Sequence, residues 1–364
     1  MQRIIQGIGR LHQIMSGINC RKLFLVIDSS YMFLNIRETI EALDVVKVRF
    51  SDFSPNPIYE DICKGIETFR VNGCDAIIAV GGGSTIDVAK CIKLVVLAEE
   101  GNSSIIPPLV AEQLPIDGSK IPFIAIPTTA GTGSESTHNA VMYYEGAKQT
   151  VVNDEVLPDY AILEPSVLKT LPLYQKKCTM MDALCQGIES WWSVNATDES
   201  KKYSMIAVKL LIKYWHAYIF ENDSEAAVQI MLAANYAGRA INIAQTTAAH
   251  AMSYKITSLY GLPHGHAVAV CLPEIWEFML EKDLPVFEEI AEAMDCGSAN
   301  DAIVYFRRMM SDMELPNPIA ADRKLELDVL CKSVNPVRLK NNPVSLDQKA
   351  IIAIYNKIMI LSDC

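Results

Sequence analysis

Three of the six histidines in this chain lie in one stretch, TTAAHAMSYKITSLYGLPHGHA, at residues 246–267. His250 follows a run of small residues and His264 follows a Gly-Leu-Pro turn, so the chain can bring two imidazoles to one point. Neutral imidazole is the commonest protein ligand for a divalent metal. Asp182, in an earlier helix-like segment, could supply a carboxylate to the same point. These residues predict a metal site, although any one histidine alone would more simply be a packed or capping residue.

Two glycine- and threonine-rich loops are typical of nucleotide binding. Residues 81–84, GGGS, join a buried strand-like run to a helix-like run. Glycine lets a phosphate approach the backbone closely, and the N-terminus of the helix offers free N–H groups. Residues 127–135, PTTAGTGSE, also follow a strand-like run and carry hydroxyls where a nucleotide could lie. The glycine run matches neither GxGxxG nor a P-loop, so a plain turn is the alternative interpretation.

Asp28 ends the first strand-like run, residues 23–27. A carboxylate at such a place can accept hydrogen bonds from ribose hydroxyls and repel a 2′-phosphate. This favours NADH over NADPH, with NADPH as the alternative. An ordinary aspartate at the end of a strand is the competing interpretation.

The elements that must position these residues change in character along the chain. The first part alternates apolar strand-like runs with helical stretches, which indicates a parallel sheet with helices on both faces. After about Pro172, long helical stretches rich in alanine and methionine follow one another. We therefore predict an α/β, dinucleotide-binding domain over residues 1–168 and an all-α, metal- and substrate-binding domain over residues 169–364. The predicted strands span residues 23–27, 45–50, 76–80 and 122–127, and the predicted C-terminal helices span 182–192, 199–219, 226–244 and 248–259.

Composition excludes some classes of partner. The net charge of −11 over 364 residues argues against nucleic acid or an anionic membrane as a partner. No apolar run is long enough to span a membrane, and the N-terminus lacks a secretory pattern. The ten cysteines are scattered without a CxxC pair, which indicates free thiols in a reducing cytoplasm.

Several motifs in order resemble the iron-containing (group III) alcohol dehydrogenase family over nearly the whole chain: GGGSTIDVAK, PTTAGTGSE, LPDYAILEPSVLKTLP, MDALCQGIES and the pair His250 and His264. The resemblance implies the dehydroquinate synthase-like fold, a nicotinamide cofactor and a metal that meet in the cleft between two domains, and a homodimer. It implies Asp182, His250 and His264 as ligands of Fe²⁺ or Zn²⁺. It also places cofactor contacts at Asp28, Gly82, Gly83, Ser84, Thr128, Thr129, Thr132 and Lys148.

Two departures from the family pattern bear on the metal site. Gln186 stands where the family usually has a histidine one turn after the aspartate. A carboxamide oxygen is a weaker ligand, so Gln186 either completes a weak iron site, leaves a three-ligand site of the kind zinc tolerates, or marks a chain that has lost its metal. Tyr254 stands where many members have a further histidine. It would orient substrate, relay a proton or simply pack.

Within the family, residues 189–196 and 246–254 look most like phosphonoacetaldehyde reductases. This resemblance predicts NADH-linked, metal-dependent reduction of phosphonoacetaldehyde to 2-hydroxyethylphosphonate, with His266 or Tyr254 relaying the proton. Arg239 and Lys255 are the candidates to hold the phosphonate, although each could equally be an ordinary surface or paired cation. The alternatives are a dehydrogenase for a simple short-chain alcohol or diol, a dehydroquinate synthase-like lyase, for which the basic residues are too few, and a metal-free, non-catalytic paralogue.

Overall fold

A computed structural model describes residues 2–98, 120–317 and 324–360. The chain forms two compact units, Met1–Leu171 and Pro172–Cys364, so the division lies just beyond the predicted boundary at residue 168. Residues 361–364, which the prediction included in the C-terminal domain, lie outside the described residues. The nine cysteines within the described ranges are all free.

The N-terminal unit contains a parallel sheet, as predicted, and this sheet has six strands. Its strand order is β1-β8-β5-β4-β2-β3, and β6 and β7 form a separate antiparallel hairpin. The central strands β4 and β5 are buried along their whole length, which explains their uniformly apolar sequences. The strands are β1 Arg3–Gln6, β2 Lys22–Ile27, β3 Val46–Phe50, β4 Ala76–Gly81, β5 Phe123–Pro127, β6 Asn139–Tyr144, β7 Ala147–Val152 and β8 Tyr160–Leu163.

Helices α1 to α4 belong to this unit. Aromatic side chains from β2, β3 and α3 pack together beneath the sheet, with the rings of Phe24 and Phe69 5.3 Å apart. The last of the four, α4, begins directly after β4, at Gly83, as the predicted strand-to-helix turn requires. These helices are α1 Leu11–Gly17, α2 Arg37–Glu41, α3 Tyr59–Asn72 and α4 Gly83–Ala98.

The C-terminal unit contains only helices in the part that the structure describes. Helix α5 lies at its centre, packed against α6, α7 and α9, and is buried around most of its circumference. The prediction began this helix at Asp182, but it begins at Leu173, directly after Pro172. The residues of its first turns are more polar than those that follow, which is why the pattern did not include them. The helices are α5 Leu173–Trp192, α6 Asp198–His216, α7 Ser224–Ala244, α8 Ala248–Tyr260, α9 His264–Met279, α10 Pro285–Ala293, α11 Ala299–Asp312, α12 Lys324–Lys332, α13 Pro336–Leu339 and α14 Gln348–Ile360.

The predicted helix over residues 199–219 is interrupted near its end. Helix α6 stops at His216, and one π-helical turn, Ala217–Glu221, follows it. Across residues 2–98, 120–317 and 324–360, no helix has both the length and the apolar composition needed to cross a membrane.

Candidate metal centre and cofactor loops

Three helices of the C-terminal unit bring the predicted metal ligands together. Asp182 lies midway along α5, His250 in the first turn of α8, and His264 is the first residue of α9. One ligand atom from each residue lies within 4.8 Å of the other two. Asp182 Oδ1 is 3.4 Å from His250 Nε2 and 4.0 Å from His264 Nε2. One atom could therefore contact all three side chains.

The residues at this cluster fit a divalent metal. Ligands about 2.1 Å from a metal lie roughly 3–4 Å from one another, which is the spacing of these nitrogen and oxygen atoms. His250 Nε2 is buried and lacks a hydrogen-bond partner among the described residues, as expected of an atom whose partner is an ion. Two imidazoles with one carboxylate are a donor set that suits Fe²⁺, and Zn²⁺ also accepts three protein ligands in a catalytic site.

A glycine allows the helices of this centre to approach closely. A Cβ atom built on Gly265 would lie 2.0 Å from the carbonyl oxygen of Cys178 and 2.7 Å from the Cβ of Asp182. Helix α9 therefore packs directly on the backbone of α5. This contact sets the distance between His264 and Asp182.

Glu189 supports the centre, although the sequence patterns did not predict a role for it. This fully buried carboxylate on α5 accepts hydrogen bonds at Oε1 from the N–H groups of Thr247 and Ala249, both at 3.0 Å, and from the Thr247 hydroxyl. The other oxygen, Oε2, contacts His250 Nδ1. When Nδ1–H donates to Glu189, Nε2 keeps its lone pair for a metal. The only local signal was a single acid in the segment from Ile188 to Trp192, which has no other charged residue.

The charges of this cluster shift the titration of His250. Burial lowers the pKa of the imidazole, but Glu189 and Asp182 outweigh burial and raise it to about 9. The same two carboxylates would attract a metal cation, which competes with the proton for Nε2. The negative charge at this site therefore favours the binding of a cation.

Gln186 lies one helical turn after Asp182 and is buried with it. Its amide nitrogen donates to Asp182 Oδ2 at 3.3 Å, while Asp182 Oδ1 faces the two histidines. In this arrangement Gln186 orients the carboxylate. Direct coordination by its carboxamide oxygen stays a prediction.

The two predicted proton relays occupy different surroundings. The ring of Tyr254 stacks on that of His264, with centroids 5.9 Å apart and planes 26° apart. Burial raises the pKa of Tyr254 even though Arg338 lowers it, so the hydroxyl stays protonated at neutral pH.

The other predicted relay, His266, donates from Nε2 to the carbonyl of Pro316 and accepts at Nδ1 from the Tyr174 hydroxyl. Both ring nitrogens of His266 are thus engaged by the protein, and a relay through His266 stays a prediction.

The two predicted phosphonate-binding cations are also placed by the structure. Arg239 contacts the hydroxyl of Tyr203, and its guanidinium lies 4.0 Å from the centre of that ring and 5.5 Å from the ring of Tyr236. These contacts hold it between α6 and α7. Lys255 is half-buried on α8, about 140° around the helix from His250. The role predicted for these two cations in holding the phosphonate stays a prediction.

The predicted cofactor residues of the N-terminal unit gather at the carboxyl ends of neighbouring strands. Gly81 of β4 pairs with Pro127 of β5, so the two loops that follow lie side by side. A Cβ on Gly82 would lie 3.5 Å from Thr129, and one on Gly83 would lie 2.8 Å from Thr132. Ser84 is the second residue of α4, and Thr128 is a buried residue of the second loop. Lys148 instead lies on β7.

Asp28 lies at the same edge of the sheet. Its Oδ1 accepts from the backbone N–H of Ser30 at 2.8 Å, and its Oδ2 accepts from the Thr85 hydroxyl at 2.9 Å. These bonds orient the carboxylate beside Gly81. A cofactor contact at Asp28 would use a carboxylate that the protein already holds in place.

A buried lysine, which the sequence patterns also did not predict, fastens the second loop. Lys90 on α4 donates to the carbonyl of Thr137 at 2.7 Å, to that of Asn139 at 2.7 Å and to the Ser134 hydroxyl at 3.2 Å. Burial lowers its pKa to about 8, although Asp87 raises it. Lys90 therefore fixes the end of the 127–137 loop on the helix that follows the glycine turn.

Replacing Lys90 with methionine should destabilise the N-terminal unit by about 3 kcal/mol, because the carbonyls lose their donor and Asp87 loses its countercharge. Urea unfolding followed by circular dichroism measures the loss. Lys64→Met is the control, since Lys64 forms half-exposed ion pairs with Asp52 and Asp61 and should change stability by less than about 1 kcal/mol. Equal stability of the two variants would contradict the role assigned to Lys90.

Comparison with known proteins covers both units. The family model described as iron-containing alcohol dehydrogenase matches residues 2–165, and the model for the C-terminal part of the same family matches residues 177–359. The probable alcohol dehydrogenase EutG of Escherichia coli is 32% identical over 67% of this chain and 62% of its own length. A phosphonoacetaldehyde reductase of Streptomyces viridochromogenes is 34% identical over 57% of this chain. The chain thus spans 62% and 54% of these two curated relatives.

A solved structure agrees with these matches. A sulfoacetaldehyde reductase from Bifidobacterium kashiwanohense, in complex with NAD⁺, aligns with a TM-score of 0.87 and 26% identity over 98% of this chain and 97% of that one. The enzyme class is therefore an NAD-linked oxidoreductase that acts on alcohols and uses a divalent metal. The chain belongs to the iron-containing alcohol dehydrogenase family.

Proposed function

We propose that this enzyme reduces phosphonoacetaldehyde to 2-hydroxyethylphosphonate with NADH. The observation that carries the aldehyde reduction is the convergence of Asp182, His250 and His264 within 4.8 Å, in a chain of this family. These three side chains would hold Fe²⁺ or Zn²⁺. When bound, the metal polarises a carbonyl oxygen as a Lewis acid and NADH supplies a hydride to the carbonyl carbon.

The chain's own residues orient the reacting groups and provide the proton. Glu189 holds the imidazole of His250 by Nδ1, and Gln186 holds Asp182 by Oδ2. The product oxygen must gain a proton, and the hydroxyl of Tyr254 is a protonated group that stacks beside His264. We assign the donation of that proton to Tyr254, with water restoring the phenol.

Two relatives support the chemical class of the proposed substrate. One is a phosphonoacetaldehyde reductase and another is a sulfoacetaldehyde reductase, and both names describe a two-carbon aldehyde with an anionic group. The net charge of −11 does not oppose such a substrate, because a local cation is enough to bind it. These two names support an anionic aldehyde as the proposed substrate class.

Oxidation of NADH by metal-loaded enzyme tests the proposal, with phosphonoacetaldehyde and propanal measured side by side. We expect kcat/KM to be about 100-fold higher for phosphonoacetaldehyde, equivalent to about 2.7 kcal/mol in the transition state. Equal or reversed values would leave a dehydrogenase for simple short-chain alcohols. Absence of turnover with both substrates and of bound metal would leave a non-catalytic paralogue.

Asp28 should set the preference for NADH. Asp28→Asn keeps the size of the side chain but removes the charge that opposes a 2′-phosphate, so kcat/KM for NADPH relative to NADH should rise about tenfold, or 1.4 kcal/mol. Initial rates with each cofactor measure this ratio. Asp44→Asn, at an exposed aspartate of the same unit, should leave it unchanged. A ratio that does not respond to Asp28→Asn would remove Asp28 from cofactor selection.

The proposal also includes a homodimer in the cytoplasm. Light scattering coupled to gel filtration tests the first part, and a mass of one chain would reject it. Free cysteines throughout the described ranges fit a reducing compartment, and fractionation of cells tests the second part.

A further inference from the structure

We infer that Arg338 binds the anionic end of the substrate and so determines the charge of the aldehydes that this enzyme accepts. The inference rests on the proposed function and deepens it. It assigns the role to a residue that no sequence motif singled out. The ligand class is a phosphonate or another tetrahedral oxyanion on a short aldehyde.

A short series of contacts links Arg338 to the candidate metal centre. Tyr254 lies one helical turn after His250, so the two side chains share a face of α8. The ring of Tyr254 stacks on His264. Helix α13, which carries Arg338, packs against α8, and the charge of Arg338 acts on the Tyr254 hydroxyl. Arg338 therefore lies beside a side chain that contacts a candidate ligand of the metal.

The protein holds Arg338 from a second direction. Its Nη1 donates to Gln245 Oε1 at 3.3 Å, and Asn341 donates to the same oxygen at 3.1 Å and to the carbonyl of Thr246 at 3.0 Å. Gln245 has φ 60° and ψ 168°, a backbone conformation that favours glycine. The fold thus maintains a costly conformation at the residue that orients Arg338. Strained residues of this kind concentrate at ligand sites.

The charge of Arg338 has no countercharge in the described part of the chain, where no carboxylate pairs with it. By contrast, Arg307 pairs with both Glu274 and Glu277, and Arg239 lies against two tyrosine rings. Gln245 engages one N–H group of a guanidinium that carries five N–H donors. A planar guanidinium can present two parallel donors to a phosphonate.

A purely structural role for Arg338 makes a different prediction. If the residue only joined α13 to α8, its loss would affect charged and neutral substrates alike. If it binds the anion, its loss changes the ratio of kcat/KM for the two substrates, mainly through KM. The ratio separates these roles.

The test uses the full-length, metal-loaded enzyme with Arg338→Met and Arg338→Lys. The ratio of kcat/KM for phosphonoacetaldehyde to that for propanal should fall about 100-fold in Arg338→Met. Lysine keeps the charge but loses the paired donors, so its ratio should fall about tenfold. Arg308→Met is the matched control, because Arg308 is exposed and pairs with Asp312, and its ratio should stay unchanged. An unchanged ratio in both Arg338 variants overturns the inference.

Competitive inhibition of propanal reduction by methylphosphonate separates this inference from the proposed function. We expect the inhibition constant to rise about 100-fold in Arg338→Met. If the native enzyme prefers propanal but its inhibition by methylphosphonate depends on Arg338, the phosphonoacetaldehyde assignment fails and the inference stands. If phosphonoacetaldehyde is preferred and neither measurement depends on Arg338, the inference fails and the assignment stands. Arg338→Lys keeps both measurements available if Arg338→Met does not fold.

Discussion

Replacing Glu189 with glutamine is expected to weaken metal binding about 100-fold, although the side chain keeps its size. The donors around Oε1, from Thr247 and Ala249, will hold the carboxamide oxygen at that position. The amide nitrogen must then face His250 Nδ1, which has to accept a hydrogen bond. The imidazole proton moves to Nε2 and blocks the atom that would bind the metal.

Metal content after dialysis against defined Fe²⁺ or Zn²⁺ measures this effect without relying on activity. Glu289→Gln is a suitable control, because Glu289 is exposed and accepts a hydrogen bond from the indole of Trp191. Its metal affinity should match that of the native protein. If Glu189→Gln binds metal as tightly as the control, Glu189 does not select the tautomer of His250.

Replacing Gly265 with alanine should have the second large effect. The new methyl group would lie 2.0 Å from a backbone oxygen of α5, which cannot rotate away as a flexible side chain could. Helix α9 must therefore shift, at a cost of about 3 kcal/mol of stability. Because His264 precedes this glycine, its imidazole should move away from Asp182, and metal affinity should fall at least about tenfold.

Urea unfolding and metal titration of the same preparation test both parts. Gly17→Ala is the control, since a Cβ at Gly17 meets no atom within 4 Å. We expect it to change stability by no more than about 0.5 kcal/mol. Native stability in Gly265→Ala would show that the two helices can separate without cost, and would remove our explanation for the spacing of His264 and Asp182.

The part of the fold that local patterns predict is the buried part of the sheet. Strands β4 and β5 and all of β2 after Lys22 are apolar, and the glycine turn after β4 marks where α4 begins. The edge strand β1 and the hairpin of β6 and β7 were not predicted, because their residues are half-buried and of mixed polarity. Strand β8 was missed because only four residues form it.

The residues of the candidate site also divide into those that the sequence predicts and those that it does not. Asp182, His250 and His264 could be chosen from residue type and order, since metal ligands belong to a small set of side chains. The role of Glu189 and the role proposed for Arg338 could not be predicted in this way, because they depend on contacts with residues far away in the sequence. His266 lies two residues after His264 on α9, so the two side chains point about 200° apart, and the proton relay predicted for His266 stays a prediction.

The three candidate ligands lie on three different helices, α5, α8 and α9, so a bound metal would affect the stability of the fold as well as the reaction. An ion held there would act as a cross-link between helices that are up to 82 positions apart in sequence. A ligand present at about 1,000 times its dissociation constant adds about 4.1 kcal/mol to the folded state. That amount is a large share of the stability of an ordinary domain. Metal supply would then govern how long the enzyme survives in the cell as well as how fast it works, and starvation for metal would remove the protein itself through unfolding and proteolysis.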